Sequence, residues 1–304
     1  MPREHEREEP AQVALPAPGP AVQSPAAGMS NAQLARMSDA DRRLALSARG
    51  AGNNRLARQR LIQRDDPPGG AATVSPPGRG LSTPFGEYWI VPDSTDQSYA
   101  DVVGEQITET DFAALQAVWD KLNDGSGQVH ITEADDTGAE HRGFKAKMLG
   151  CFGQLLSMPR GRALVAGLVN GSQVVTIGPT STRRIANATR GAGSLENPNG
   201  TAGTGGGTTI RFDADLTDES VVAFDAAGGE LAAPIWSILG HELIHAEHNA
   251  AGRNRRNLAP RTSAAYGNRE EEETIATGSG VTENDLRAEH GLPNRFGHGA
   301  RDKR

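Results

Sequence analysis

An α+β domain behind a long unfolded leader is the fold class this sequence predicts, and three observations carry the prediction. The first 84 of the 304 residues contain no Phe, Tyr or Trp, and ten of the 18 prolines fall before residue 80. From Phe85 onward, stretches with helical spacing of apolar residues interleave with short β-branched runs. One of those helical stretches carries a pair of histidines four residues apart.

The leader, residues 1–80, holds 11 Arg, no Lys and 8 acidic residues, so it carries about +3 and leaves −10 for the remainder of a chain whose net charge is −7. Without aromatic anchors it cannot bury enough apolar surface to offset the entropy of ordering, so it is expected to be disordered. Two stretches inside it have loosely helical spacing, Asn31–Arg49 and the Arg-rich Asn53–Gln63. They read as solvated helices of a tail or as an address signal. The charged start Met1-Pro-Arg-Glu-His-Glu-Arg-Glu-Glu-Pro10 lacks the apolar core of a secretory peptide. Export, if it occurs, is expected by a non-Sec route. No window of 18 apolar residues exists, which excludes a spanning helix. The acidic balance argues against nucleic acid as the main partner. A single cysteine, Cys151, excludes an intramolecular disulfide framework and a four-thiolate zinc site, and reads as a small buried residue.

The globular part begins with Glu87-Tyr-Trp-Ile-Val-Pro92, a short strand. Thr108-Glu-Thr-Asp is a capping sequence, and Phe112, Leu115, Val118, Trp119 and Leu122 behind it form one helical stripe. Phe144, Met148, Cys151, Leu155 and Leu156 predict a second helix that stops before Pro159, and Arg162–Val169 a short third. Gln173-Val-Val-Thr-Ile-Gly178 is a strand by its β-branched content. Residues 190–207 are a Gly-, Asn- and Thr-rich loop, expected to be flexible. It lacks the lysine and the following helix of a phosphate-binding loop. Thr208-Thr-Ile-Arg-Phe-Asp213 alternates as a strand with one buried face, and is expected to offer an edge for an extended substrate.

Pro234 and Gly252 bracket a helix containing Gly240-His-Glu-Leu-Ile-His-Ala-Glu-His248. His241 and His245 lie one turn apart on one face, so both imidazoles can reach one ion, with Glu242 close enough to act on a water at that ion. Ile235, Ile238, Leu239 and Ile244 give the helix apolar surface to bury. A catalytic zinc needs a third protein ligand and an open position. His248 is a turn too far along, and Ala251 stands where a three-histidine site would have its last ligand. The run Arg269-Glu-Glu-Glu-Glu273 supplies carboxylates on a second short helix. Glu271 is favoured as third ligand, with Glu270 and Glu272 next, although acidic residues also stabilise a helix start without any metal.

At these residues the chain resembles the NleD-like effector metallopeptidases. The matching segments are the His-Glu helix, Glu270-Glu271 with Thr274 and Gly278, Thr282-Glu-Asn-Asp-Leu-Arg-Ala-Glu-His-Gly-Leu-Pro-Asn-Arg295, and upstream Gly161-Arg-Ala-Leu and Gly206-Gly-Thr-Thr-Ile-Arg-Phe-Asp213. The resemblance spans about residues 143–298. It implies a minimal zincin fold, one Zn2+ on His241, His245 and a glutamate of the acidic run, and Glu242 as general base. One departure is visible. Phe296-Gly-His298 stands where an aromatic hydroxyl is expected, so His298 or Tyr266 is the candidate donor to the developing oxyanion, with Arg287 a third choice or else a partner for nearby carboxylates. The leader segment Gly52-Asn-Asn-Arg-Leu-Ala-Arg-Gln-Arg60 is similar to leaders of cargo in contractile injection systems.

The expected organisation is thus a leader at 1–80 that can carry a delivery signal, an N-terminal extension at 84–142 and a zinc metallopeptidase domain at 143–300. The expected activity is zinc-dependent endoproteolysis by an effector or toxin. It would be made in a bacterial cytoplasm and exported by a type III or contractile injection system. Its partners would be a protein substrate inside a target cell, such as the host signalling kinases the resemblance implies, and a delivery apparatus engaging the leader. Two other classes compete: a non-catalytic, metal-stabilised binding module, and a metal-dependent amidase acting on the bacterial cell wall.

Overall fold

The computed structural model describes residues 77–99 and 102–304. The two leader helices, the leader's disorder and its delivery signal concern residues outside that range. Strands β1 (Arg79–Thr83) and β2 (Gly86–Val91) form a hairpin, and β3 (Glu105–Thr108) adds to β2 in parallel. Helix α1 (Glu109–Asp124) follows directly. The Thr108 hydroxyl accepts from the Asp111 N–H at 3.1 Å, and Gly125 ends the helix at φ 75°. Helices α2 (Phe144–Leu156) and α3 (Pro159–Val169) meet the expectation of two helices separated at Pro159, which sits in the first turn of α3.

The main sheet runs β4 (Val129–Ile131), β5 (Val175–Pro179), β7 (Thr208–Phe212), β6 (Ala186–Arg190). The first three strands are parallel, and β6 is antiparallel to β7, with Ala188 opposite Ile210. This corrects the expectation for Thr208–Asp213. The alternating burial of β7 is present, but the strand is paired on both sides and offers no edge. Alternation reports which face of a strand is buried and says nothing of its lateral neighbours. The edge is β6, whose Ala-Asn-Ala-Thr-Arg sequence has little β-branched content to announce a strand.

A third sheet has the order β10 (Ala300–Asp302), β8 (Val221–Phe224), β9 (Glu230–Ala232), and β8 and β9 precede helix α4 (Ile235–Ala250), which carries the His-Glu motif. A short helix α5 (Arg269–Glu272) runs on into a π turn at Glu273–Thr277, and α6 (Glu283–Glu289) follows. One hydrophobic cluster extends from Phe85 to Leu286, and α4 lies within it: Leu239, Leu243 and Ile244 are fully buried with Leu155, Ile177, Ile210 and Phe212. Cys151 is part of this core, and burial pushes its thiol up to about 12. No helix among the described residues is long and apolar enough to cross a membrane.

Two glycines fix the setting of α4. A Cβ on Gly240 would lie 2.8 Å from Leu286 and 3.3 Å from Leu155, so α2 and α6 approach α4 closely just before the first histidine. Gly252 ends the helix at φ 65°, and its carbonyl accepts from Gly203 at 2.7 Å. The Gly-rich loop expected to be flexible is hydrogen-bonded here. Gly206 N–H donates to the Asn249 carbonyl at 3.0 Å, satisfying part of the helix end.

Candidate metal centre

Each residue of the centre is delivered by a local device. His241 and His245 project from one face of α4, because four residues make about one turn. Asn268 caps α5 by accepting the Glu271 N–H at 3.1 Å, which starts the helix so that the acidic run faces α4. Thr282 and Asp285 form a capping box at the start of α6 and place Glu283 in its first turn.

The four glutamates of the acidic run have four environments. Glu271 Oε2 lies 3.2 Å from His241 Nε2 and 3.3 Å from His245 Nε2. Glu270 Oε1 accepts from His245 Nδ1 at 2.9 Å and His248 Nδ1 at 2.8 Å, while its Oε2 accepts the Arg255 N–H at 2.9 Å. Glu272, fully buried, accepts the N–H groups of Arg261 and Thr262. Glu273 pairs with Arg255 and Arg269. The sequence's first choice, Glu271, therefore meets both Nε2 atoms, while Glu270 meets His245 from its Nδ1 side and Glu272 faces the main chain of Arg261 and Thr262.

Both histidines are held from behind. His241 Nδ1 is 3.0 Å from Glu283 Oε2, and that carboxylate is held by Arg295 Nη1 at 2.8 Å. His245 Nδ1 is bonded to Glu270. A carboxylate accepts, so each Nδ1 donates its proton outward, and a ring that is neutral, as a metal ligand must be, then turns the lone pair of Nε2 inward. The two Nε2 atoms are 3.1 Å apart. The third member, Glu271 Oε2, is buried with no hydrogen-bond donor. Three acceptors thus converge on one point, an arrangement that repels itself unless a cation or proton lies between them. Donors about 2 Å from a common zinc ion stand about 3.3 Å from one another, and the spacing here fits. Without a metal, burial lowers the His245 imidazole, but bonds to Glu270 and Glu271 outweigh it and raise it to about 10. Burial raises Glu271, but the two imidazoles win and hold it well below the ordinary carboxylate range.

Glu242, His298 and Ala188 line the same small cavity of about 120 Å³. Burial raises the Glu242 carboxyl above the ordinary glutamate range. His298 Nε2 is 3.5 Å from Glu271 Oε2, and its ring is stacked at 5.9 Å on His241 with about half of its side chain exposed. Tyr266 is elsewhere: it is buried against Phe296 and does not line the cavity. Arg287 takes the duller of its two expected roles. It is fully buried, donates to the carbonyls of Pro293 and Ala232, and stands 3.9 Å from Glu283. His248, as expected, does not reach the other two imidazoles' meeting point, and binds Glu270 instead.

Sequence reading assigned no role to Glu283, Arg295 or the main chain of Ala188. The first two lie inside the Thr282–Arg295 segment that carried the resemblance, so a signal existed without a function attached. Ala188 left none.

The model of peptidase family M91, described as effector protein, matches residues 132–297, more than half of the chain. That span contains α2 to α6 and every residue named here in the centre except His298. No curated protein matches the chain.

Proposed function

The chain belongs to the NleD-like M91 family of effector metallopeptidases, and we propose that it is a zinc-dependent endopeptidase that cuts proteins of a target cell. The observation carrying this reading is the convergence of three ligand atoms, His241 Nε2, His245 Nε2 and the unpartnered Glu271 Oε2, beside a carboxylate outside that group, Glu242. A purely structural ion has no need of that carboxylate. His241, His245 and Glu271 would hold the ion. When bound, it supplies a Lewis acid that polarises the scissile carbonyl and lowers the pKa of a water toward neutrality.

The chain's own residues do the rest. Glu242 accepts a proton from the attacking water as the C–O bond forms, then returns it to the amine nitrogen as the C–N bond breaks. His298, on the open side of the cavity, donates toward the oxygen on which charge develops. Glu270 and Glu283 keep the two rings in one tautomer and one orientation. The free edge of β6 borders the cavity at Ala186 and Ala188, where an extended polypeptide can add as a further strand. Tyr266 supports the wall that carries Phe296 and Gly297.

The test uses the full chain beside Glu242→Gln, with metal content by elemental analysis and new protein termini by mass spectrometry in a target-cell lysate that includes its signalling kinases. About one zinc in both proteins, and new termini with the wild type alone, is the expected result. Zinc with no cleavage by either would favour the metal-stabilised module, and cleavage of cell-wall amides alone would favour the amidase. Absence of zinc from both would overturn the site.

A further inference from the structure

Next to the small cavity lies a larger one of about 730 Å³, and the two share Asn187, Ala188, Arg190 and Arg256 in their walls. No Asp or Glu lines the larger cavity. Its two charges are the guanidinium groups of Arg190 and Arg256, and neither has an ion pair or a side-chain hydrogen bond among the described residues. Neighbouring arginines are neutralised: Arg255 by Glu196 and Glu273, Arg253 by Glu247, Arg295 by Glu283. In a stretch with 30 acidic against 20 basic residues after position 80, a carboxylate-free hollow with two unpaired guanidiniums runs against the background.

Position along β6 gives this patch its meaning. Residues two apart on a strand share a face and stand about 7 Å apart. Ala186, Ala188 and Arg190 share one face of β6 by strand alternation, and all three line the small cavity, as does Asn187. The main chain of Ala188 lies close to the Glu242 carboxyl, with which it lines the small cavity. Arg190 is therefore one strand period from Ala188, which faces the residue that would handle the proton. Around it, Gly191, Gly193 and Gly203 leave the hollow unfilled by side chains.

We propose that Arg190 and Arg256 form a specificity subsite for an anionic side chain, carboxylate or phosphoryl, of an extended polypeptide within three residues of the bond that is cut. The inference rests on the peptidase reading of the preceding subsection. Guanidinium groups suit this task because their planar fork binds either oxyanion in two-pronged fashion.

The full chain is incubated with peptides from a digested lysate, half of them treated with phosphatase, and the cut sites are read by mass spectrometry. The expected result is enrichment of Asp, Glu or phosphorylated residues at one fixed position within three residues of the cut. Loss of that enrichment after phosphatase identifies the phosphoryl group as the ligand, and its survival identifies the carboxylate. In Arg190→Gln/Arg256→Gln the ratio of kcat/KM for an anionic peptide over its Gln counterpart should fall about 10- to 100-fold. Arg253→Gln should leave that ratio unchanged. Cleavage with no anionic enrichment, or a ratio untouched by the double substitution, overturns the subsite while the peptidase reading stands. A second measurement separates the two claims if nothing is cut. Alanine-rich octapeptides with a central Glu, phosphotyrosine or Gln are titrated calorimetrically into Glu242→Gln with and without the double arginine change. Binding that requires both the anion and the arginines supports the subsite and faults only the peptidase reading. Equal binding of all three peptides overturns it.

Discussion

Replacing Glu270 by Gln removes one charge and no volume, and it separates ligand from ligand-support within the acidic run. Glu270 is 2% exposed and satisfies three donors, two at Oε1 and one at Oε2. An amide offers one oxygen. If that oxygen keeps His245 and His248, the new NH2 group faces the Arg255 N–H; flipped, it faces the two imidazole N–H groups. Either way at least one buried donor goes unpaired, at a cost of about 1–3 kcal/mol. For a chain of this size that is about 2–4 °C of melting temperature per kcal/mol. The orientation of His245 is weakened as well, so zinc affinity should fall about 10- to 100-fold, or about 1.4–2.7 kcal/mol. Competition against a chromophoric chelator reads the affinity, and thermal melting of the metal-free protein reads the stability. Glu273→Gln, which alters a pair with Arg255 and Arg269 away from the rings, is the control. Unchanged zinc affinity in Glu270→Gln, or an equal loss in Glu273→Gln, would refute the reasoning that Glu270 acts by holding the ring.

Three further outcomes follow from the same structure. Arg295→Met leaves Glu283 buried with its nearest full partner gone, and urea unfolding of the metal-free protein should show a loss of about 3–5 kcal/mol; a loss under 1 kcal/mol would mean Arg287 already suffices. Gly252→Ala puts a side chain into a left-handed position, with its Cβ 2.4 Å from the Gly203 carbonyl oxygen, so at least about 1–2 kcal/mol should be lost together with the loop's anchorage; an unchanged melting temperature would contradict this. Cys151, buried with its thiol pushed to about 12, should resist a thiol-specific dye at pH 8 until the protein is unfolded, and rapid labelling of the native chain would contradict its place in the core.

Local signals were enough to read much of this protein. The caps at Thr108 and Thr282, the stop at Pro159 and the turn-spaced pair His241 and His245 depend on residues a few positions apart, and such interactions are carried by backbone geometry that every chain shares. The family segments were legible for the same reason, being short and ordered. The acidic run shows where that reach ends. Glu270, Glu271, Glu272 and Glu273 are chemically identical neighbours, and only the packing of α5 against α4 and the flanking loop decides that one meets the histidine pair, one supports a ring, one ties down Arg261 and Thr262, and one neutralises two arginines. The edge strand behaves likewise. Hydrophobic alternation marked β7, but lateral order in a sheet is set by contacts between distant segments, so β6 and the two unpaired arginines beside it became visible only once the chain was folded.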